Sequence, residues 1–173
     1  DYTKSSDEVA KILAKSTLLK RAMKAAPDSV DLREFCPPVE DQGELGSCTA
    51  NAGVGMLEYF ERRAFGKHMD ASRLFLYKVT RQLLGLAGDD GAYLRDTMKA
   101  MVLFGIPPEK YWPYDPKRFN EEPSAFCYSY AQNYQAIEYY RLDPPNTDTS
   151  VVLTIVKTNL EAAQSIARQL RLR

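Results

Sequence analysis

The residues best suited to chemistry lie in the stretch DQGELGSCTANAG, residues 41–53. A thiol attacks a carbonyl carbon only as its thiolate, and an unperturbed cysteine, with a pKa of about 8.5, is ionised to only a few per cent at neutral pH. If Cys48 stands in the first turn of a helix, the unpaired amides and the positive end of the helix dipole favour the thiolate. The backbone amide of Cys48 and the side-chain amide of Gln42 can then donate to an oxyanion. The spacing therefore predicts acyl transfer by a cysteine nucleophile.

The alternative for Cys48 is a buried core thiol, because free cysteine is among the most buried residue types. A nucleophilic role also needs a base, and the chain holds one histidine, His68. The helix predicted after Cys48 has about 17 residues and spans about 25 Å at its usual rise. We therefore expect His68 in an exposed loop at the far end of that helix, beyond hydrogen-bond reach of Cys48.

Apolar residues at helical spacing predict the elements that position these side chains. The predicted helices cover residues 6–25, 48–65, 71–85, 92–105 and 150–173. In the fourth segment Leu94, Met98, Met101 and Val102 share one face, and Gly105 stands in the usual stopping position. Residues 106–145 are rich in proline and tyrosine, which predicts loops with one strand near residues 135–142.

Composition excludes several classes of function. The 23 basic residues balance the 23 acidic ones, and no basic patch is visible, so we expect no nucleic-acid partner. No apolar run reaches the roughly 20 residues of a membrane span, and the first residues lack the apolar centre of a signal peptide. The cysteines show no CxxC pattern, so no metal or cofactor is expected, and a Cys36–Cys127 disulfide stays open. A cytoplasmic location is favoured.

The segment PPVEDQGELGSCTA resembles the active-site segment of papain-family cysteine peptidases, in which Pro-Val and Gln-Gly precede Cys-Gly-Ser-Cys-Trp. Two positions depart from the family: Leu45 stands in place of a cysteine and Thr49 in place of tryptophan. The resemblance implies that Cys48 is the nucleophile and that Gln42 helps to form the oxyanion hole. The residues that match in order and spacing are Pro38, Val39, Gln42, Gly43, Gly46, Ser47 and Cys48.

A second segment, residues 88–115, resembles the family's Gly-Cys-x-Gly-Gly, helix, Gly-Ile and Tyr-Pro-Tyr sequence. The resemblance places Gly91 and Ala92 at the two glycines whose backbone pairs with substrate. It places Tyr93 and Leu94 at the wall of the pocket that receives the second substrate residue before the scissile bond. It also places Gly46 and Ser47 among the substrate-binding residues.

Asp89 falls on the cysteine that normally bridges to the position of Leu45. Both halves of one family disulfide are therefore absent, which fits a reducing compartment or a core that manages without the link.

The resemblance implies an α+β, papain-like fold, represented mainly by its helical left lobe. We divide the chain into an N-terminal helical extension or pro-segment remnant (residues 1–27), the left lobe with its connecting segment (28–142), and a C-terminal amphipathic helix (143–173). The family's catalytic histidine follows the cysteine by roughly 130–150 residues, which in this numbering begins at about residue 178. We therefore expect the histidine and its asparagine from a C-terminal half or a second chain.

The predicted function is a cysteine peptidase that hydrolyses peptide or protein substrates without a cofactor. Two alternatives remain. The first is a non-catalytic half-domain that acts as an interaction module, because half of a two-lobed enzyme leaves its cleft face exposed. The second is a transacylase or ligase that uses the same thiol.

Overall fold

The computed structural model describes residues 29, 31–136, 139, 148–150, 152–157 and 160. Residues Phe35–Tyr139 form most of one compact unit. The other described residues belong to a second unit. The predicted helix at residues 6–25 lies outside the described residues, as do most of the predicted strand at 135–142 and the chain beyond residue 160. In the C-terminal segment residues 149, 150, 152–157 and 160 are helical, as its pattern predicts.

Four α-helices form the described part of the larger unit: α1 (Cys48–Phe65), α2 (Arg73–Leu84), α3 (Leu94–Leu103) and α4 (Ala125–Ala131). Short 3-10 turns accompany them at Glu109–Tyr111, Pro116–Arg118 and Gln132–Tyr134. An isolated antiparallel bridge joins Ala71 to Pro108. The first three helices confirm the predicted ones to within two residues. None of the described helices is long and apolar enough to cross a membrane.

The ends of these helices follow from local sequence signals. Gly66 ends α1 in the left-handed conformation, with φ of 73°, and its amide donates to the Arg62 carbonyl at 2.8 Å. Ser72 begins α2, where its hydroxyl accepts from the Phe75 amide at 3.1 Å. Gly85 ends α2 with φ of 68°. Because these signals are local, the sequence alone locates the helix boundaries.

Helices α1, α2 and α3 pack together around Gly53. A methyl group on Gly53 would lie 3.1 Å from both the Leu76 side chain of α2 and the Met101 sulfur of α3. Glycine inside a helix costs about 1 kcal/mol relative to alanine. Here it permits a close approach of three helices behind Cys48, which explains its position in α1.

The buried face of α3 agrees only in part with the predicted one. Met101 is buried and Met98 packs against the core, as predicted, whereas Leu94 is 57% exposed. Thr97 and Ala100, which were not predicted, are also buried. The periodicity finds the helix, but the face that is buried depends on which small residues let the neighbouring helix approach.

Helix α4 lies where loops were predicted. It has seven residues, and its buried positions are Cys127 and Ala131, one turn apart. Its aromatic side chains divide between two sides, because the Phe126 and Tyr130 rings pack on each other at 5.6 Å and the Tyr128 ring lies 5.1 Å from that of the buried Phe75. So short a helix with aromatic residues on both sides has no clear helical pattern.

The Cys36–Cys127 disulfide does not form. Cys127 is a buried thiol whose sulfur lies 3.7 Å from the Tyr111 carbonyl, and Cys36 is exposed.

Candidate active site

Cys48 is the first residue of α1, and its side chain is exposed. It is therefore not a buried core thiol. Its backbone amide donates to no acceptor in the described part of the chain, as expected of the first amides of a helix. An exposed thiol thus lies beside an unpaired amide at the positive end of an 18-residue helix.

The side-chain amide of Gln42 is held beside this helix start. Its Nε2 donates to the Leu45 carbonyl at 2.9 Å, and the Ser47 backbone amide donates to the same carbonyl at 2.7 Å. The Leu45 carbonyl oxygen thus ties the Gln42 side chain to Ser47, the residue directly before Cys48. The second N–H of Gln42 has no acceptor among the described residues, so it is available to a ligand.

Ser47 is fully buried and fixes the direction in which the chain enters α1. Its hydroxyl does not cap the helix, because it lies 2.6 Å from the Tyr114 hydroxyl and accepts from Asn51 Nδ2 at 3.0 Å. The Tyr114 hydroxyl in turn donates to the Gln42 carbonyl at 2.8 Å. Tyr114 therefore joins the residue before the nucleophile to the predicted oxyanion residue.

Arg73 of α2 supports this arrangement from behind. It is buried, and its guanidinium carbon lies 4.1 Å from the centre of the Tyr114 ring, where a cation–π contact is favourable. Its nitrogens contact further groups around the loop: the Asp41 carbonyl at 3.2 Å, Asn51 Oδ1 at 3.3 Å, Glu109 Oε1 at 3.1 Å and Glu40 Oε2 at 3.2 Å. One buried cation thus holds both ends of the segment that carries Gln42 and Cys48.

The same cation accounts for the one acidic cluster found among the described residues. Oxygens of Glu40, Asp70 and Glu109 lie within 4.8 Å of one another. Arg73 forms ion pairs with Glu40 and Glu109, so a protein cation already balances the charge there.

Gly91 lies next to the loop that carries the nucleophile, since a methyl group on it would lie 3.7 Å from the Gly46 carbonyl oxygen. Its φ is 77°, a conformation that favours glycine, and its amide donates to the Tyr77 hydroxyl at 3.3 Å. Ala92 is half-buried and packs against the core. Tyr93 and Leu94 are 73% and 57% exposed at the start of α3. The two exposed side chains are therefore accessible to a ligand.

Asp89 links this segment to the nucleophile loop. Its carboxylate accepts from the Gly46 amide, with oxygens at 3.0 Å and 3.2 Å, and from the Tyr77 hydroxyl. Since the Tyr77 hydroxyl also accepts from Gly91, a continuous chain of hydrogen bonds joins Gly46 to Gly91 through Asp89 and Tyr77.

His68 lies in the loop between α1 and α2, as expected, but its side chain is partly buried. Its side chain is 23% exposed, and its Nε2 is 3.9 Å from Glu58 Oε2. Glu58 stands ten residues after Cys48 in α1, which is about 15 Å along the helix. The contact with Glu58 therefore keeps His68 away from the thiol, in agreement with the distance argument.

Asn51, Arg73, Tyr77 and Tyr114 are supporting residues that the sequence motifs did not predict. They join segments 12 to 72 residues apart in sequence, and nothing in a local pattern reports such contacts. The available signal was Tyr114, which is part of the Tyr-Pro-Tyr turn of the second motif.

A family model for papain family cysteine proteases matches residues 26–169. The chain belongs to this family.

Curated relatives and solved structures agree with this assignment. A peptidase C1-like protein of Acanthamoeba polyphaga mimivirus is 35% identical over 105 residues, which are 60% of this chain and 34% of that protein. Cathepsin K of Gallus gallus is 36% identical over 93 residues, 51% of this chain and 27% of that protein. The chain thus spans about a quarter to a third of the length of these two curated relatives.

The structure of xylellain, a cysteine protease from Xylella fastidiosa, matches with a TM-score of 0.64 at 33% identity, over 80% of this chain and 55% of that chain. A digestive procathepsin L 3 of Tenebrio molitor larval midgut matches with a TM-score of 0.57 at 25% identity, over 76% of this chain and 41% of that chain. The papain-like fold, represented by its mainly helical lobe, is therefore confirmed.

Proposed function

We propose that this chain is the nucleophile-bearing part of a cysteine peptidase that hydrolyses peptide bonds through Cys48. The single observation that carries the proposal is the exposed thiol of Cys48 at the start of α1, beside an unpaired backbone amide and a fixed Gln42 amide. Donors that are already in place where negative charge develops make the largest contribution to many acyl-transfer reactions.

In this mechanism the Cys48 thiolate forms a bond to the scissile carbonyl carbon, and the carbonyl electron pair moves to oxygen. The Cys48 amide and the second N–H of Gln42 donate to that oxyanion. The C–N bond then breaks, and the leaving amine takes a proton from a protonated base. Water hydrolyses the thioester, which releases the acid and regenerates the thiol.

The base is contributed by a histidine outside the 173 residues, on the same polypeptide or on a second chain. His68 is the one histidine in the sequence, and its contact with Glu58 leaves it remote from Cys48. The substrate backbone runs along Ala92, and Tyr93 and Leu94 contact the substrate side chain two residues before the cut. The exposure of Tyr93 and Leu94 supports their contact with the substrate side chain. The Gly91 amide already donates to the Tyr77 hydroxyl, which supports Ala92 as the residue that pairs with the substrate backbone.

Peptide hydrolysis by the longest polypeptide that carries this sequence tests the proposal. Cys48→Ser should abolish hydrolysis, and Gln42→Ala should lower kcat by about 100-fold to 1,000-fold, because one oxyanion donor is lost. Gln132→Ala removes an exposed glutamine at the end of α4 and serves as the matched control. Hydrolysis that persists in Cys48→Ser would contradict the proposal.

The two alternatives make different predictions for the same preparation. A transacylase or ligase would transfer the acyl group to an added amine, so that amide product accumulates in place of acid. A non-catalytic interaction module would bind peptide with equal affinity in the unmutated protein and in Cys48→Ser, and would release no product.

A further inference from the structure

The loop before Cys48 and the segment before α3 approach so closely at Gly46 and Gly91 that their backbones are in contact. A methyl group on Gly46 would lie 2.9 Å from Asp89 Oδ1 and 3.2 Å from the Gly91 amide nitrogen. Gly46 is two residues before the nucleophile, and Gly91 precedes the segment proposed to hold substrate. Any shift between these segments would therefore move the substrate relative to the sulfur.

Asp89 and Tyr77 supply the polar contacts that hold the two segments together. The Asp89 carboxylate accepts from the Gly46 amide and from the Tyr77 hydroxyl, and the Tyr77 hydroxyl accepts from the Gly91 amide. We call this set of hydrogen bonds the Asp89 clamp. Bonds of this type, with a charged acceptor, are shorter and stronger than those between neutral groups.

Tyr77 is held rigidly enough to transmit this contact. It is fully buried, and the Arg81 guanidinium lies 4.9 Å from the centre of its ring. Arg81 also donates to the Ala87 carbonyl at 3.0 Å, which fixes the chain just before Asp89. Burial, followed by the hydrogen bond to Asp89, raises the pKa of Tyr77 above its ordinary range. Its hydroxyl therefore remains a donor to Asp89 across the physiological range.

We propose that Asp89 and Tyr77 are positioning residues for the proposed peptidase reaction. Their hydrogen bonds keep the substrate-binding segment, residues 92–94, in register with the loop that precedes Cys48. Neither residue touches the reacting atoms; each acts through the backbone of Gly46 and Gly91. In the family the positions of Leu45 and Asp89 carry a disulfide; here Asp89 is joined instead to the amide of Gly46, next to Leu45, by a link that reductants cannot break. This inference rests on the proposed function.

Amide hydrogen exchange in the 173-residue chain tests the clamp itself. Asp89→Ala should raise the exchange rate of the Gly46 amide, and Tyr77→Phe that of the Gly91 amide, by about 10-fold or more, because each amide loses its acceptor. Asp90→Ala removes the neighbouring exposed carboxylate and should change both rates less than about 2-fold. Unchanged exchange at Gly46 in Asp89→Ala, or at Gly91 in Tyr77→Phe, would overturn the clamp.

Alkylation of Cys48 tests the positioning role. In Asp89→Ala the rate with a peptidyl chloromethyl ketone should fall by about 10-fold, whereas the rate with iodoacetamide should change less than about 2-fold. Rescue separates positioning from general damage. In Leu45→Cys/Asp89→Cys the oxidised form should recover the peptidyl rate, and reduction should remove the recovery. Equal losses with both reagents, or no rescue in the oxidised form, would overturn the proposal.

The two proposals can fail separately. If the peptidyl reagent has no advantage over iodoacetamide in the unmutated chain, the proposed function fails. In that case the exchange rates of Gly46 and Gly91 still decide whether the clamp exists.

Discussion

At the scale of single residues, the exposure of Cys48 results from its neighbours. Ser47 and Ala50 are fully buried, so the chain is anchored on both sides of the thiol. Thr49, which replaces the family's tryptophan, lies 3.0 Å from the Thr97 hydroxyl of α3. A pair of hydroxyls thus fills the position beside the nucleophile and ties α1 to α3. With these neighbours fixed, Cys48 is the residue of this turn that faces outward.

Glu58 is a second residue whose setting has measurable consequences. Its pKa is raised from 4.5 to about 7, mainly by burial and also by the carboxylates of Glu40, Asp70 and Glu109, against the lowering effect of the hydrogen bond from the Ala71 amide. The folded protein therefore holds more protons than the unfolded protein between pH 4.5 and 7. Its stability falls as the pH rises through that range. A pKa shift of this size corresponds to about 3 kcal/mol.

Glu58→Gln should remove this loss of stability. Glutamine keeps an oxygen that can accept from the Ala71 amide at the position of Glu58 Oε1 but does not titrate. The free energy of unfolding is measured with urea at pH 4.5 and at pH 7.5. Its decrease between the two pH values should be smaller in Glu58→Gln than in the unmutated chain, by about 3 kcal/mol. Glu44→Gln, at an exposed position, is the control. Because His68 lies 3.9 Å away, the comparison is repeated in a His68→Gln background. An unchanged decrease in Glu58→Gln would contradict the assignment.

At the scale of elements, α2 organises the site. Arg73, Tyr77 and Arg81 are spaced by four residues and therefore lie along one side of the helix. Arg73 holds the Gln42 loop through the Asp41 carbonyl, and Tyr77 holds Gly91 and Asp89. Arg81 donates to the Phe119 carbonyl at 2.9 Å. A buried polar stripe on one helix thus fixes three loops, two of which carry proposed site residues.

Gly105 controls how α3 meets α4. Its φ is 73°, and a methyl group there would overlap the Ala131 carbonyl at the end of α4. Gly66 has the same φ but nothing within 4 Å of the corresponding methyl position. Gly66→Ala should lower the free energy of unfolding by about 1–2 kcal/mol, the usual penalty of a left-handed alanine. Gly105→Ala adds steric overlap and should lower it by about 3 kcal/mol or more. Equal urea midpoints for the two variants would show that this overlap has no effect.

The sequence predicted the parts of the fold and site that depend on nearby residues. Glycine and serine caps locate the ends of α1 and α2, and one short motif holds both Cys48 and Gln42. The contacts of Asp89 with Gly46 and of Tyr114 with Ser47 join residues 43 and 67 positions apart, so no local pattern contains them. The exposure of Leu94 in α3 and the presence of the short helix α4 were not predicted, for the same reason. Both depend on the surface against which they pack.

At the scale of the whole chain, the proposed nucleophile, oxyanion donors and substrate-binding segment all belong to the compact unit that includes Phe35–Tyr139. The chain spans about a third of the length of two curated relatives, 34% and 35%. We therefore propose that this unit supplies the nucleophile and aligns the substrate, and that a histidine outside it supplies the base. Two alkylating reagents can be compared without the base, because both react with the same Cys48 thiolate.

Comparing the thiols of one chain tests most directly whether Cys48 is a nucleophile beside which a peptide is held. Cys36 is exposed like Cys48, and Cys127 is buried. Mass spectrometry would give the ratio of Cys48 to Cys36 modification by a peptidyl chloromethyl ketone, divided by the same ratio for iodoacetamide. We expect a quotient of about 10 or more, because the peptide is aligned only at Cys48. A quotient near one would show that no peptide is held at Cys48, and would contradict the proposed function.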